Sequence, residues 1–159
     1  MMHDSLTSPF YIEHGIRLVE SYKRLTGNDL LTYNGMNIDA SLSIIEQLDN
    51  APFVLLSHGL DDDPIFNFGN KSALELFEID WQGLIKMPSR LSAETINQAD
   101  REYLLETVTR QGYIDDYSGV RISAKGKRFM IKQAIVWNII DAKGDYFGQA
   151  AIFSHWDFL

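Results

Sequence analysis

The stretch from Gly112 to Trp156 constrains the fold more than any other. It reads as three strands, 113–122, 128–140 and 146–156, separated by Ala124-Lys125-Gly126 and Asp141-Ala142-Lys143-Gly144. Both separators have the glycine-containing lengths of hairpin connections, so neighbouring strands pair antiparallel. On simple alternation, Phe129, Ile131, Gln133, Ile135 and Trp137 share one face of the long middle strand. Met130, Lys132, Ala134, Val136 and Asn138 share the other. The second face is still partly apolar, and a sheet apolar on both faces must be covered on both.

The upstream sequence supplies the rest of the sheet and its covers. Phe53-Val-Leu-Leu-Ser57 is a short apolar run, hence a buried strand. A turn-rich loop, His58 to Pro64, leads to a second strand at Ile65–Phe68, and Asn70 caps a short helix through Phe77. Residues 97–111 form a longer helix whose expected buried face is Ile96, Ala99, Tyr103, Leu104 and Val108. Near the N-terminus, Ser8-Pro9 starts a helix and Gly27-Asn28 stops it. A second helix is expected from Asp39, with Leu42, Ile45 and Leu48 in one stripe. Those two helices, or a second subunit, are the available covers for the second sheet face. The expected division is an N-terminal helical extension over 1–50 and a sheet domain over 51–159.

Composition closes off several functions. The chain has no cysteine, which removes disulfides, thiolate metal sites and a cysteine nucleophile. The formal net charge of −8 opposes nonspecific nucleic-acid binding, which needs clustered Lys and Arg. The dense basic patch at Lys125, Lys127 and Arg128 reads as a solvated turn. No apolar run approaches the roughly 18 residues of a membrane span, and a cytoplasmic location is expected. His58 with Asp61, Asp62 and Asp63 reads as a solvated acidic turn, so no metal site is expected.

At this point the motifs carry a resemblance. Pro64-Ile-Phe-Asn-Phe-Gly-Asn70 before a helix resembles the opening of a PAS domain. Pro88-Ser-Arg-Leu-Ser-Ala-Glu94, Tyr117-Ser-Gly-Val-Arg-Ile122, Gly126-Lys-Arg-Phe129, Val136-Trp-Asn138 and Gly148-Gln-Ala-Ala151 are similar to the MEKHLA domain, a PAS-like family. The segment from His14 to Gly27 resembles free-standing members of that family. The resemblance implies an α+β fold: a PAS-like five-stranded antiparallel sheet with helices on one face, plus the N-terminal helical extension. It also implies sensing or regulated interaction, and it carries over no catalytic residue.

The familiar PAS cofactors can be tested against the residues present. A flavin that forms a cysteine adduct needs a thiol where this chain has Pro88-Ser89-Arg90, and a haem needs a histidine from the long helix, which has none. Both are argued against, and any cofactor is left unknown. A small polar or anionic ligand could sit between the sheet and the helices. Candidate binding residues are Arg90, Tyr117, Arg121, Phe129, Gln133, Trp137, Gln149 and Phe153. The expected function is a non-enzymatic sensory or interaction module. The chain ends at Leu159, just past the last strand, so its signal is expected to leave through a protein partner or homodimerisation. The alternative is a small enzyme using the same cavity. A perturbed carboxylate or histidine beside the cavity would favour it.

Overall fold

The structure is a computed structural model that describes residues 4–35 and 41–159. Strands β1 (Val54–His58), β2 (Phe66–Gly69), β3 (Tyr113–Ile122), β4 (Arg128–Ile140), β5 (Tyr146–Phe153) and β6 (His155–Phe158) form one antiparallel sheet. Its order is β2-β1-β5-β4-β3, and β6 pairs with β4. The sixth strand is the continuation of β5 past Ser154. β5 pairs with β4 over Ile135–Ile140, and β6 pairs with it over Phe129–Lys132.

Helices cover both faces. On the inner face lie α3 (Lys71–Leu76) and α5 (Thr95–Gln111), with the short α4 (Trp81–Leu84) and a 3-10 turn at Ser89–Ser92 nearby. On the outer face lie α1 (Pro9–Thr26) and α2 (Ile44–Asp49). α1 begins at Pro9, as its missing N–H allows, and Gly27 ends it at φ 78°. α2 is capped by Ser43, whose hydroxyl accepts from the Glu46 amide; the cap expected at Asp39 lies outside the described residues. Gly15 lets α1 approach α2 closely, because a Cβ there would stand 3.0 Å from Ile45. Trp137, fully buried, donates its indole N–H to Ser21 Oγ at 3.0 Å and meets the Tyr22 ring edge-on at 4.9 Å. The N-terminal helices therefore share a core with the sheet.

The faces of β4 differ from simple alternation, and a β-bulge is the cause. Gly119 pairs with Ile131 and Tyr117 with Ala134, so one residue of β3 faces two of β4, Lys132 and Gln133. Gln133 takes φ 54° and is exposed. The extra residue resets the alternation. Phe129, Ile131, Ala134 and Val136 face inward, while Ile135, Trp137 and Ile139 join the outer core. A second bulge, at Asp116 with φ 54°, resets β3 and turns Tyr117 and Arg121 inward.

Asn70 fastens three elements at once. Its Oδ1 accepts from Ala73 N at 3.0 Å, the expected helix cap, and from Leu55 N at 3.2 Å. Its Nδ2 donates to Leu48 O at 3.0 Å and Phe53 O at 2.8 Å. The side chain is fully buried, so its loss leaves those groups in a dry site. Asn70→Ala should lower unfolding free energy by about 3 kcal/mol in urea titrations; a loss under about 1 kcal/mol would mean that water replaces the amide. Gln133→Gly should leave stability unchanged or raise it by about 1 kcal/mol, since glycine removes the cost of positive φ. Gln133→Val in the same assay should lower it, and equal midpoints for the two variants would refute the bulge.

Candidate functional site

The inner face of the sheet does not close completely against α5. A cavity of about 80 Å³ lies between β1, β3, β4, β5, α5 and the turn at Ser89–Ser92. Its wall is largely apolar, with Phe66, Phe77, Leu104, Ile131 and Phe153. Into it reach His58, Ser89, Arg101, Tyr117, Arg121 and Gln149.

Local backbone features put these side chains there. His58 and Gln149 are cross-strand partners on β1 and β5. Their strands meet closely because residue 148 is glycine: a Cβ would fall 2.0 Å from the His58 carbonyl oxygen, and its φ is 123°. Tyr117 and Arg121 lie on one face of β3 with Gly119 between them. The Tyr117 hydroxyl occupies the space that a Cβ at Gly119 would need, 2.1 Å away. Arg101 projects from α5 on the same side as Leu104 and Val108.

The hydrogen bonds fix the protonation of this cluster. Leu105 O can only accept, so the Gln149 amide directs Nε2 to it at 3.1 Å, and Nε2 also reaches Asn138 Oδ1 at 3.1 Å. Gln149 Oε1 then faces His58 Nε2 at 3.2 Å, so that nitrogen carries the proton. His58 Nδ1 is left bare and accepts from the Ser89 hydroxyl at 3.0 Å. Ser89 Oγ in turn accepts from Arg101 Nη2. At the far end, Asn138 Nδ2 donates to Val108 O at 3.0 Å. One directed chain thus runs from Arg101 to the backbone of α5.

Charge in the cavity is one-sided. Burial pushes His58 down from 6.5 to about 4, and the Arg101 guanidinium adds to the effect. Burial also lowers Arg101, with Arg121 the next contributor. Tyr117 is raised by burial; its hydroxyl accepts from Arg121 Nη2 at 3.2 Å and donates to Asp100 Oδ2 at 3.1 Å. His58 and Gln149 also line an open surface groove of about 390 Å³, so their hydrogen bond stands between groove and cavity.

Of the residues singled out from sequence, the structure brings Tyr117, Arg121, Gln149 and Phe153 to the cavity. Phe129 is buried on the same face, packed against Phe77 at 5.2 Å, but does not line it. Three others lie elsewhere. Trp137 belongs to the outer core because of the bulge, and Gln133 is the exposed bulge residue itself. Arg90 is at the surface, with Nε 3.1 Å from both oxygens of Asp63. Sequence reading missed His58, Ser89 and Arg101. His58 adjoins Asp61–Asp63 in one turn-rich loop, yet it turns inward while they remain exposed. The apolar face expected for α5 is not the buried one: Ile96 and Tyr103 are 86% and 69% exposed, and Arg101 takes a buried place instead.

The MEKHLA domain model matches residues 12–158, which takes in α1 as well as the sheet. The chain belongs to the MEKHLA family. Among curated relatives of this MEKHLA chain is the homeobox-leucine zipper protein HOX32 of Oryza sativa subsp. indica. It is 27% identical over 143 residues, which is 87% of this chain and 16% of the rice protein. Homeobox-leucine zipper protein ATHB-9 of Arabidopsis thaliana is 23% identical over 128 residues, 78% of this chain and 15% of its own. The MEKHLA chain thus spans about a sixth of these relatives. Among solved structures, the PAS domain of a Colwellia psychrerythraea protein superposes with a TM-score of 0.59 at 14% identity, covering 72% of this chain and 92% of that one. A light-oxygen-voltage domain described with a flavin analogue also gives 0.59, at 10% identity, covering 74% and 85%. The fold of this MEKHLA chain is therefore PAS-like.

Flavin does not fit the cavity of this MEKHLA chain. About 80 Å³ is well under the roughly 300 Å³ at which pockets for drug-sized ligands begin. Two buried guanidiniums and a wall of Phe66 and Phe77 occupy the interior, and the chain has no thiol for an adduct.

His14, on the outer face, behaves like His58. Its Nε2 lies 2.9 Å from Ser57 Oγ, and burial first, then Arg17, pushes it down to about 4. For both histidines the folded-state value lies below the unfolded 6.5, so their stabilisation is complete above pH 6.5. It is lost as pH falls from 6.5 toward 4. Each should contribute a loss on the order of 3 kcal/mol across that window. Denaturant unfolding at pH 7.5 and pH 4.5 measures it. His58→Gln and His14→Gln should each flatten the decline, and an unchanged slope in both would mean that other groups carry it.

Proposed function

We propose that this chain is a non-enzymatic PAS-type sensory module. It binds a small ligand in the cavity between sheet and α5 and passes occupancy to a protein partner or a second copy. The observation that carries this reading is the cavity itself. A packed interior leaves few voids larger than a water molecule, and this one is ringed by polar atoms ordered through one directed hydrogen-bond chain. Water of the cell interior is the proposed setting. Among the described residues no helix is long and apolar enough to cross a membrane.

One observation favours an enzyme instead. Ser89 Oγ lies 3.0 Å from His58 Nδ1, the contact of a nucleophile with its base, and His58 is a perturbed histidine beside the cavity. Against it, a histidine pushed down to about 4 is a weak base at neutral pH, and Arg101 donates onto the same hydroxyl oxygen. The sensor reading therefore leads.

Native mass spectrometry of protein purified from its own source tests the proposal. A retained small molecule, and a change in subunit number when it is removed, are expected. Ser89-dependent hydrolysis of activated esters by the same sample, absent in Ser89→Ala, would overturn the sensor in favour of the enzyme.

A further inference from the structure

The interior holds two cations that make no ion pair among the described residues. Arg101 and Arg121 are 7% and 8% exposed and line the same cavity. Each guanidinium has five N–H donors. Arg101 donates to Ser89 Oγ; Arg121 donates to Val120 O at 2.8 Å and to the Tyr117 hydroxyl at 3.2 Å. Neither takes part in any ion pair among the described residues. Asp63 and Glu102 act on Arg101 only as more distant charges, and Asp63 is engaged by Arg90. Asp100 reaches the pair only through the Tyr117 hydroxyl. Buried charges are ordinarily paired, because an unpaired one loses its hydration without return. Two like charges facing one void make that cost larger. An anion in the void removes it.

The cavity also limits which anion. A water occupies about 10–15 Å³ of such volume, so about 80 Å³ admits a molecule of only a few heavy atoms. Apart from its neutral hydroxyl, imidazole and amide groups, the lining is apolar, with Phe66, Phe77, Leu104 and Phe153, and it holds no cationic group beyond the two arginines. A phosphate or a dicarboxylate would press a charged oxygen against that wall. A single planar carboxylate matches the guanidinium fork and leaves an aliphatic tail for the phenyl rings.

Resting on the reading of this cavity as a ligand site, we propose that it binds a short-chain aliphatic monocarboxylate, the carboxylate held between Arg101 and Arg121 and the tail against the phenylalanines. The ligand supplies the counter-charge that the fold omits.

Calorimetry and thermal unfolding of the full chain in carboxylate-free buffer test this, with butyrate, 1-butanol, succinate and inorganic phosphate as probes. Butyrate should bind saturably and raise Tm by about 5–10 °C at a hundredfold excess over Kd. Butanol, of similar shape but neutral, should bind at least tenfold more weakly, as should succinate and phosphate. Arg101→Met and Arg121→Met should each weaken butyrate at least tenfold. Arg121→Met should also melt, without ligand, at or above the wild-type temperature, because one of two like charges is gone. Equal binding of butanol, or tighter binding of phosphate, would overturn the carboxylate while leaving the cavity a ligand site. No binding of any probe, together with a ligand-free native mass spectrum, would overturn both this proposal and the sensor reading.

Discussion

Everything in this fold follows from a sheet that is apolar on both sides. β1 shows the arrangement in five residues, because alternate side chains enter different layers. Val54 and Leu56 belong to the inner core, Leu55 to the outer one, and Ser57 reaches outward to His14 while His58 reaches inward. Neither face can be left to water, since burying each large apolar side chain is worth about 1.5–3 kcal/mol. The inner cover comes from helices between β2 and β3 in the chain. The outer cover comes from the N-terminus, which the family model also includes from residue 12. α1 is accordingly a structural layer of the domain, fixed by the Trp137–Ser21 bond and by the cation-π contact of Arg17 with Phe147 at 3.9 Å.

The two layers are treated differently. The outer core is filled by large side chains, among them Phe53, Phe68 and Trp137. The inner one is left incomplete beneath α5, and its polar groups satisfy one another in a single direction. This order has a physical consequence for the charge. Because Leu105 O forces the Gln149 amide and Gln149 forces the His58 tautomer, His58 presents a bare nitrogen to Ser89. Ser89 can then offer only its oxygen lone pair to Arg101. This run of hydrogen bonds orients one guanidinium and contains no carboxylate.

How much of this was legible in the sequence can be traced residue by residue. Asn70, Gly27, Gly126 and the two hairpins announced themselves, because caps and turns depend on local chemistry that a short window contains. β3 and β4 have the ends that pattern reading gave them. The face of each residue on those strands did not follow, because one inserted residue at Gln133 and another at Asp116 invert the alternation and neither has the glycine that usually signals positive φ. That single shift moved Trp137 out of the candidate site. Arg101 was invisible for the opposite reason. Helical periodicity assigns charged residues to solvent, so a helix whose buried stripe contains an arginine looks as if it turns another way. A general signal could have found it: a helix whose apolar residues do not form one clean stripe, lying where the fold places its cavity, has a polar residue inside.

The likeness to light-oxygen-voltage and other PAS structures, at 10–14% identity, then has a definite limit. In this chain the backbone is shaped by Asn70 at the strand–helix junction, Gly148 where β5 crosses His58, and the bulges of β3 and β4. None of these contacts the interior void as a recognition group. The polar side chains that reach the void are a separate set, His58, Ser89, Arg101, Tyr117, Arg121 and Gln149. Two sequences can share a fold and hold unlike interiors. Function sits in such sites and not in the fold that carries them. For this chain the interior is about 80 Å³ and carries two buried guanidiniums, a chemistry that the shared fold does not dictate.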